Sequence, residues 1–309
     1  MKFSIFIPAY KSTYLSEAIQ SCLDQSYDDF ELVVVNDASP ADIDSIISMF
    51  NDSRLRYYKN ENNVGALNVV DNWNKCLELC DGEYVICMGD DDCLTPTCLS
   101  QYVELINRYA GLGVYHTKTV VIDEKGVAIN IQASRPEYES AWSLAWHRWN
   151  GRTIQFIGDF CFDLKLLRQN DGFYKLPLAW GSDDISALIA AQSAGIANTQ
   201  EVGFCYRVNS QTITNSSNSE IKLEAIAKEK EWYEKFLKTI PTTKEDLLYH
   251  TLISQDLSLH FERKIMNTVS KELQANHSIE NIIRWYNHKN KYGISLKQYI
   301  YILLKGFNR

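Results

Sequence analysis

The chain has 309 residues, 45% apolar and 23% charged, with a formal net charge of −8. That length supports a large hydrophobic core, as one large domain plus an appendage or as two modest domains. The acidic balance excludes a uniformly basic nucleic-acid-binding surface, and no apolar run reaches the roughly 18 residues a membrane-spanning helix needs.

Met1-Lys-Phe-Ser-Ile5 leads straight into an apolar run, Phe3 to Ile7, that reads as a buried strand ended by Pro8. It lacks a signal-peptide pattern, so the expected location is cytoplasmic. Leu15, Ala18, Ile19, Cys22 and Leu23 recur at helical spacing, and Phe30 to Val35 is a second strand. Ser39-Pro40 offers an N-cap followed by Pro at the first helical position, with Ile43, Ile46, Ile47 and Phe50 as the apolar face. Leu55 to Tyr58 predicts a third strand, Asn72 to Leu79 a helix broken by Asp81-Gly82, and Glu83 to Met88 a fourth strand. Thr95-Pro96 repeats the cap signal before a helix to about Tyr109, and Val114 to Ile122 and Val127 to Ile131 read as two strands around a turn. Trp142, Trp146 and Trp149 have helical spacing and read as core packing, a lid or a sugar-stacking platform. From about Glu220 the pattern is helical and highly charged. The eight cysteines, at 22, 76, 80, 87, 93, 98, 161 and 205, lie largely within apolar runs and read as reduced packing residues.

Strands alternating with helices predict an α/β fold with a Rossmann-like, mostly parallel sheet flanked by helices. In such sheets ligands bind beyond the carboxyl ends of the strands. The segments there are Pro8-Ala-Tyr10, Asn36-Asp37 and Gly89-Asp-Asp-Asp92. Adjacent carboxylates repel unless a cation compensates them, and a hard divalent ion takes oxygen ligands while leaving positions for phosphate. The same residues could equally form a solvated acidic turn at a helix N-terminus.

These pieces, in order, carry a resemblance. Ser4-Ile-Phe-Ile-Pro-Ala-Tyr10, Phe30-Glu-Leu-Val-Val-Val-Asn-Asp-Ala-Ser39, Asn63-Val-Gly65, Asp81-Gly-Glu-Tyr-Val85 and Asp90-Asp-Asp92 follow one another as in the family 2 glycosyltransferases, which the chain resembles from Phe3 to about Asn215. The resemblance implies the GT-A fold, an inverting transfer from a nucleotide-sugar, commonly a UDP-sugar, and a divalent metal, Mn²⁺ or Mg²⁺. It implies residues 1–215 as the nucleotide-sugar-binding catalytic domain and 216–309 as a helical C-terminal region. Aligned on Leu94-x-Pro96, the first Asp of the family's Asp-x-Asp falls on Gly89, a departure, and the second on Asp91, the implied metal ligand. Asp90 is implied in ribose or metal contact, Asp37 in contact with the base, and Pro8, Ala9 and Tyr10 in lining the nucleotide pocket. In Trp180-Gly-Ser-Asp-Asp-Ile185 the implied general base is Asp184, with Asp183 its neighbour and alternative. Cys205-Tyr-Arg-Val-Asn-Ser-Gln211 resembles the family's Tyr-Arg-x-His, so Arg207 is implied in holding the diphosphate or in a structural ion pair, and Asn209 replaces the usual His.

The resemblance also implies a glycan or lipid-linked acceptor in surface polysaccharide biosynthesis. From Asn281 to Arg309 there are six Lys or Arg and no Asp or Glu. With Ile282-Ile-Arg-Trp-Tyr286 and Tyr299-Ile-Tyr-Ile-Leu-Leu-Lys305, this predicts basic amphipathic helices, either packed on the protein or lying on the inner face of a membrane. Two further readings stand beside this one. One is a catalytically impaired sugar-binding protein, motivated by Gly89 and Asn209. The other is a sugar-phosphate nucleotidyltransferase, which the Gly-poor segment Pro8 to Tyr14 disfavours.

Overall fold

The structure, a computed structural model, describes residues 1–209 and 218–307. The expected domain boundary at 215/216 and two members of the Tyr-Arg segment, Ser210 and Gln211, lie outside them. The chain divides into two compact units, Met1–Lys175 with Ser182–Thr212, and Leu176–Gly181 with Ile213–Arg309.

The first unit is built on one sheet. Its strands are β1 (Phe3–Ala9), β2 (Phe30–Asn36), β3 (Leu55–Lys59), β4 (Tyr84–Cys87), β5 (Cys93–Leu94), β6 (Val114–Ile122), β7 (Ala128–Ile131), β8 (Tyr138–Glu139), β9 (Phe160–Asp163) and β10 (Ile196–Arg207). The helices between them are α1 (Leu15–Leu23), α2 (Ile43–Ile47), α3 (Val69–Glu78), α4 (Cys98–Arg108), α5 (Ala141–Trp149), α6 (Leu164–Gln169) and α7 (Ser182–Ala191). The strand order is β3-β2-β1-β4-β9-β6-β10-β5, with β7 on β6 and β8 on β10. The first four of these strands are mutually parallel, and β9 runs antiparallel between β4 and β6.

Alternation along β1 explains the layers. Phe3, Ile5, Ile7 and Ala9 share a core with Leu15, Ile19 and Cys22 of α1 and with Leu99 and Tyr102 of α4. Phe6 points to the other face, where Phe173 packs against it and against Trp73 and Phe162 at ring-centroid distances of 6.1, 5.7 and 5.4 Å. The cysteines are free thiols, buried except for the half-buried Cys205.

Local cap chemistry differs from the expectation. Helix α2 is capped by Asp42, whose carboxylate accepts from the Ser45 N–H, while the Ser39 hydroxyl donates to the Tyr10 carbonyl. Thr95 likewise caps no helix: its hydroxyl donates to the Val202 carbonyl. A tertiary carbonyl takes the proton of each hydroxyl, and Ser39 Oγ also accepts from the Ala41 N–H at 3.0 Å, a turn ahead of α2 rather than its cap.

The second unit is helical: α8 (Ser219–Phe236), α9 (Lys244–Ala275), α10 (Ile279–His288) and α11 (Leu296–Phe307). Tyr233 meets Phe261 at 5.9 Å, and the buried Glu229 carboxylate accepts from Lys264 Nζ at 2.6 and 2.7 Å. Helix α11 buries Tyr299 and Ile302 and leaves Leu296, Ile300, Tyr301 and Leu304 exposed. No helix among the described residues is long and apolar enough to cross a membrane.

At the amino ends of the parallel strands, the buried Glu31 carboxylate accepts from Ser4 Oγ at 2.6 Å, the Asp81 N–H at 2.6 Å and Arg56 Nη1 at 2.6 Å. Burial alone would raise its pKa, but these three donors outweigh burial and hold it below the ordinary glutamate value. The ionised form is therefore the stabilising one, and its contribution is present above the unfolded-state pKa and lost as pH falls through the folded one. Glu31→Gln should lower the unfolding free energy by about 1.5–3 kcal/mol at neutral pH, with the difference from the parent shrinking on acidification. Urea denaturation across pH measures it, and an equal loss at every pH would contradict this account.

Candidate active site

The carboxyl ends of β2, β1 and β4 are neighbours, so the loops that follow them meet. The loop after β4 is Met88-Gly-Asp-Asp-Asp92, and it enters β5, which pairs antiparallel with β10 through Leu94–Phe204 and Cys93–Cys205. That pairing sets Arg207 and Asn209 beneath the acidic loop.

Each carboxylate of the loop is buried, 5%, 9% and 6% exposed at Asp90, Asp91 and Asp92, and each has its own partners. Asp90 Oδ2 accepts from the backbone N–H groups of Tyr10 at 2.8 Å and Lys11 at 2.6 Å. Lys11 Nζ lies 2.5 Å from Asp91 Oδ2 and 3.3 Å from Asp90 Oδ1. Asp91 Oδ2 also accepts from Asn209 Nδ2 at 2.7 Å. Asp92 Oδ1 accepts from the Arg207 N–H at 2.9 Å. Burial, then the charge of Asp91, pushes Asp92 well above the usual carboxylate range. Burial also raises Asp90, against the opposing pull of Lys11. For Lys11 burial disfavours the charge, but Asp90 and Asp91 outweigh it and raise its pKa.

Arg207 is 1% exposed and its guanidinium is fully engaged: Nε donates to the Asp91 carbonyl at 2.8 Å, Nη2 to Glu17 at 2.7 Å, and the group lies 4.4 Å from the Tyr14 ring centroid. It braces the backbone of the acidic loop. Asp37 accepts from Asn60 Nδ2 at 2.7 Å and from the Val64 N–H at 3.0 Å, tying the end of β2 to the segment before α3. Tyr10 is exposed and Pro8 half-buried, whereas Ala9 is fully buried and its carbonyl accepts from the Asp37 N–H.

Asp183 and Asp184 open α7. Asp184 Oδ1 accepts from Arg148 Nε at 2.8 Å and Gln155 Nε2 at 2.6 Å. Burial, then the charge of Asp184, pushes Asp183 up to about 7. Tyr206 connects this pair to the acidic loop. Its ring stacks on Phe156 at 3.7 Å, and its hydroxyl is raised to about 12 by burial and then by Asp92 and Asp91, with Lys11 and Asp183 also acting on it. The candidate residues of β1, β2, β4 and β10 thus collect around the strand ends, and Asp184 of α7 is linked to them through Gln155 and the Phe156–Tyr206 stack. Sequence reasoning missed Lys11, Glu17, Arg148, Gln155 and Tyr206. Lys11 and Tyr206 adjoin residues that were singled out, but no local spacing marks the others. Of the three tryptophans, all on α5, Trp142 is buried and Trp146 and Trp149 are half-buried.

Gly89 has a structural reason. A Cβ there would meet Asp92 Oδ2 at 2.6 Å and Asp91 Oδ1 at 3.1 Å, so the Asp92 carboxyl fills the space a side chain at 89 would need. Gly89→Ala should therefore cost about 1–3 kcal/mol of stability by overpacking. A thermal melt checks it, and an unchanged midpoint would mean the loop has slack it does not display.

The family model described as Glycosyl transferase family 2 matches residues 4–167. The chain is 34% identical over 103 residues to WcaA of Escherichia coli (strain K12), a glycosyl transferase named for colanic acid biosynthesis, covering 32% of this chain and 36% of that one. It is 31% identical over 109 residues to the GalNAc(5)-diNAcBac-PP-undecaprenol beta-1,3-glucosyltransferase of Campylobacter jejuni subsp. jejuni serotype O:2, covering 34% and 35%. The chain thus spans about a third of the length of these two curated relatives. Among solved structures, S. aureus TarS 1-349 in complex with UDP-GlcNAc superposes with a TM-score of 0.71 at 16% identity, over 99% of this chain and 88% of that one, a likeness of fold. With the match covering more than half of the chain and the mostly parallel GT-A sheet in place, the protein belongs to glycosyl transferase family 2.

Proposed function

We propose that this protein is an inverting, metal-dependent glycosyltransferase that moves a sugar from a UDP-sugar to a glycan or lipid-linked acceptor in surface polysaccharide assembly. Residues 1–215 would form the catalytic domain and 216–309 a helical region. The observation that carries this reading is the chain of contacts joining the two acidic groups: Gln155 donates to Asp184, its neighbour Phe156 stacks on Tyr206, and the next residue, Arg207, donates its N–H to Asp92. The glucosyltransferase among the relatives and the UDP-GlcNAc complex of TarS support the donor and acceptor classes.

Among the described residues, no three His, Cys, Asp or Glu side chains converge as a complete metal cage. Asp91 nevertheless offers hard oxygen and already holds a cation, the Lys11 ammonium. That donor set fits an Mg²⁺ or Mn²⁺ ion held by one or two carboxylates, with phosphate and water completing the shell. Such an ion would neutralise the diphosphate as it leaves.

Asp184 is assigned as the base. Arg148 and Gln155 fix its carboxylate, so it can accept the acceptor hydroxyl's proton as that oxygen attacks the anomeric carbon opposite the leaving group. Tyr10 and Pro8 line the nucleotide pocket, with Ala9 contributing backbone only. Asp37 shapes the base-binding side, and Asp90 holds the β1 loop against the acidic loop. Arg207 serves the donor through the loop it braces.

Thermal shifts with UDP-, dTDP- and GDP-sugars, with Mn²⁺ or Mg²⁺ and with EDTA, test the donor site, since a ligand that binds the native state raises its stability. The expected result is a metal-dependent shift with the UDP class, abolished by Asp91→Asn. Asp184→Asn should lower turnover by about 10²–10⁴-fold with the fold intact. Burial and the neighbouring Asp184 charge raise Asp183 to about 7, so a transfer that needs both carboxylates of the pair ionised should rise as pH increases through about 7. No shift with any donor would favour the catalytically impaired reading, and full turnover in both variants would overturn the site assignment.

The basic C-terminal helices are assigned to an anionic membrane surface. Leu296, Ile300 and Leu304 stand one turn apart and 50–62% exposed on α11, with Lys297 beside them. Sedimentation with phosphatidylglycerol vesicles should pellet the protein, and Ile300→Ser with Leu304→Ser should keep it in the supernatant. Equal partition of parent and variant would refute the assignment.

A further inference from the structure

We propose that Lys11 is the acidic loop's built-in counterion: a divalent cation displaces its ammonium from Asp91, and the released ammonium then pairs with the donor's diphosphate. This rests on the metal reading above and adds a residue that reading does not use.

Lys11 Nζ occupies the electrostatic place of the metal, 2.5 Å from Asp91 Oδ2 and 3.3 Å from Asp90 Oδ1. A divalent ion on the same Asp91 oxygens would repel the ammonium at short range, so the two cations are mutually exclusive there. Solvent reaches the side chain, so the ammonium can exchange one anionic partner for another. The side chain is 27% exposed, and lysine carries a compact charge on a flexible stem. Its departure leaves the loop held, because Asp90 keeps the two backbone N–H donors of Tyr10 and Lys11, Asp91 keeps Asn209, and Arg207 keeps the Asp91 carbonyl. The Lys11 backbone is itself pinned to Asp90, so a released ammonium stays within one side-chain length of the carboxylates that would hold the metal and its diphosphate. Three buried carboxylates thus have a cation whether or not donor is bound, and the same lysine adds a second positive charge when the diphosphate arrives.

Linkage requires the two cations to oppose each other for the free protein and to cooperate once the diphosphate is present. The test uses Mn²⁺ followed by electron paramagnetic resonance and UDP followed by calorimetry, on the full chain. Lys11→Met, and Lys11→Gln should Lys11→Met fail to fold by circular dichroism, should bind Mn²⁺ alone about tenfold tighter than the parent and bind UDP at saturating Mn²⁺ about tenfold weaker. A purely structural lysine would not move these two affinities in opposite directions. Unchanged or weaker Mn²⁺ binding in the variant, or unchanged UDP affinity, overturns the proposal and leaves the metal reading intact, provided Asp91→Asn abolishes Mn²⁺ binding. No Mn²⁺ bound by parent or variant, even with UDP, overturns both.

Discussion

Three consecutive carboxylates buried at a strand end repel one another and lose their hydration, so the loop exists only where other parts of the chain compensate it. The compensation comes from the β1 loop and from the end of β10. Tyr10 and Lys11 supply two backbone N–H groups and an ammonium, while Arg207 and Asn209 supply a backbone N–H, a guanidinium contact to the loop carbonyl and an amide. These partners are reachable because β1 lies beside β4 and β5 pairs with β10. The sheet order is thus also the wiring of the site, and Glu17 extends it by holding Arg207 from α1.

The two ends of the parallel strands treat acid differently. Glu31, at the amino ends, has three donors at 2.6 Å and is held ionised, which makes it a stabilising element. Asp90, Asp92 and Asp183, at the carboxyl ends or on α7, are raised because burial and like charge outweigh their donors. Carboxylates left short of compensation are the ones a metal, a diphosphate or a substrate proton can complete, which is why perturbed groups gather at functional sites.

Much of the fold was legible in the chain because its signals are local. The runs Phe3 to Ile7 and Phe30 to Val35 and the spacing of Leu15, Ala18, Ile19 and Cys22 recur as β1, β2 and α1 within a residue or two. The strands that escaped are β5, β8 and β9, two to four residues long and too short to show a period, and the twelve-residue β10, whose exposed Gln200 and Glu201 interrupt its buried run; they exist through pairing with one another and with β4 and β6. Ser39 and Thr95 misled for a related reason, since a cap motif says what a hydroxyl can do locally and a distant carbonyl offered each of them another partner.

By itself, then, the amino-acid sequence determined the alternating α/β pattern, the acidic loop after the fourth strand, the family resemblance and the candidate carboxylates, all of them short-range features of residue order. Only the tertiary structure decided what surrounds those carboxylates. Lys11 meets Asp91 across 80 residues, Arg148 meets Asp184 across 36 and Arg207 meets Glu17 across 190, and no local period encodes such pairs. Charge compensation depends on distance in space, so the chemistry of each acid was settled when the sheet closed.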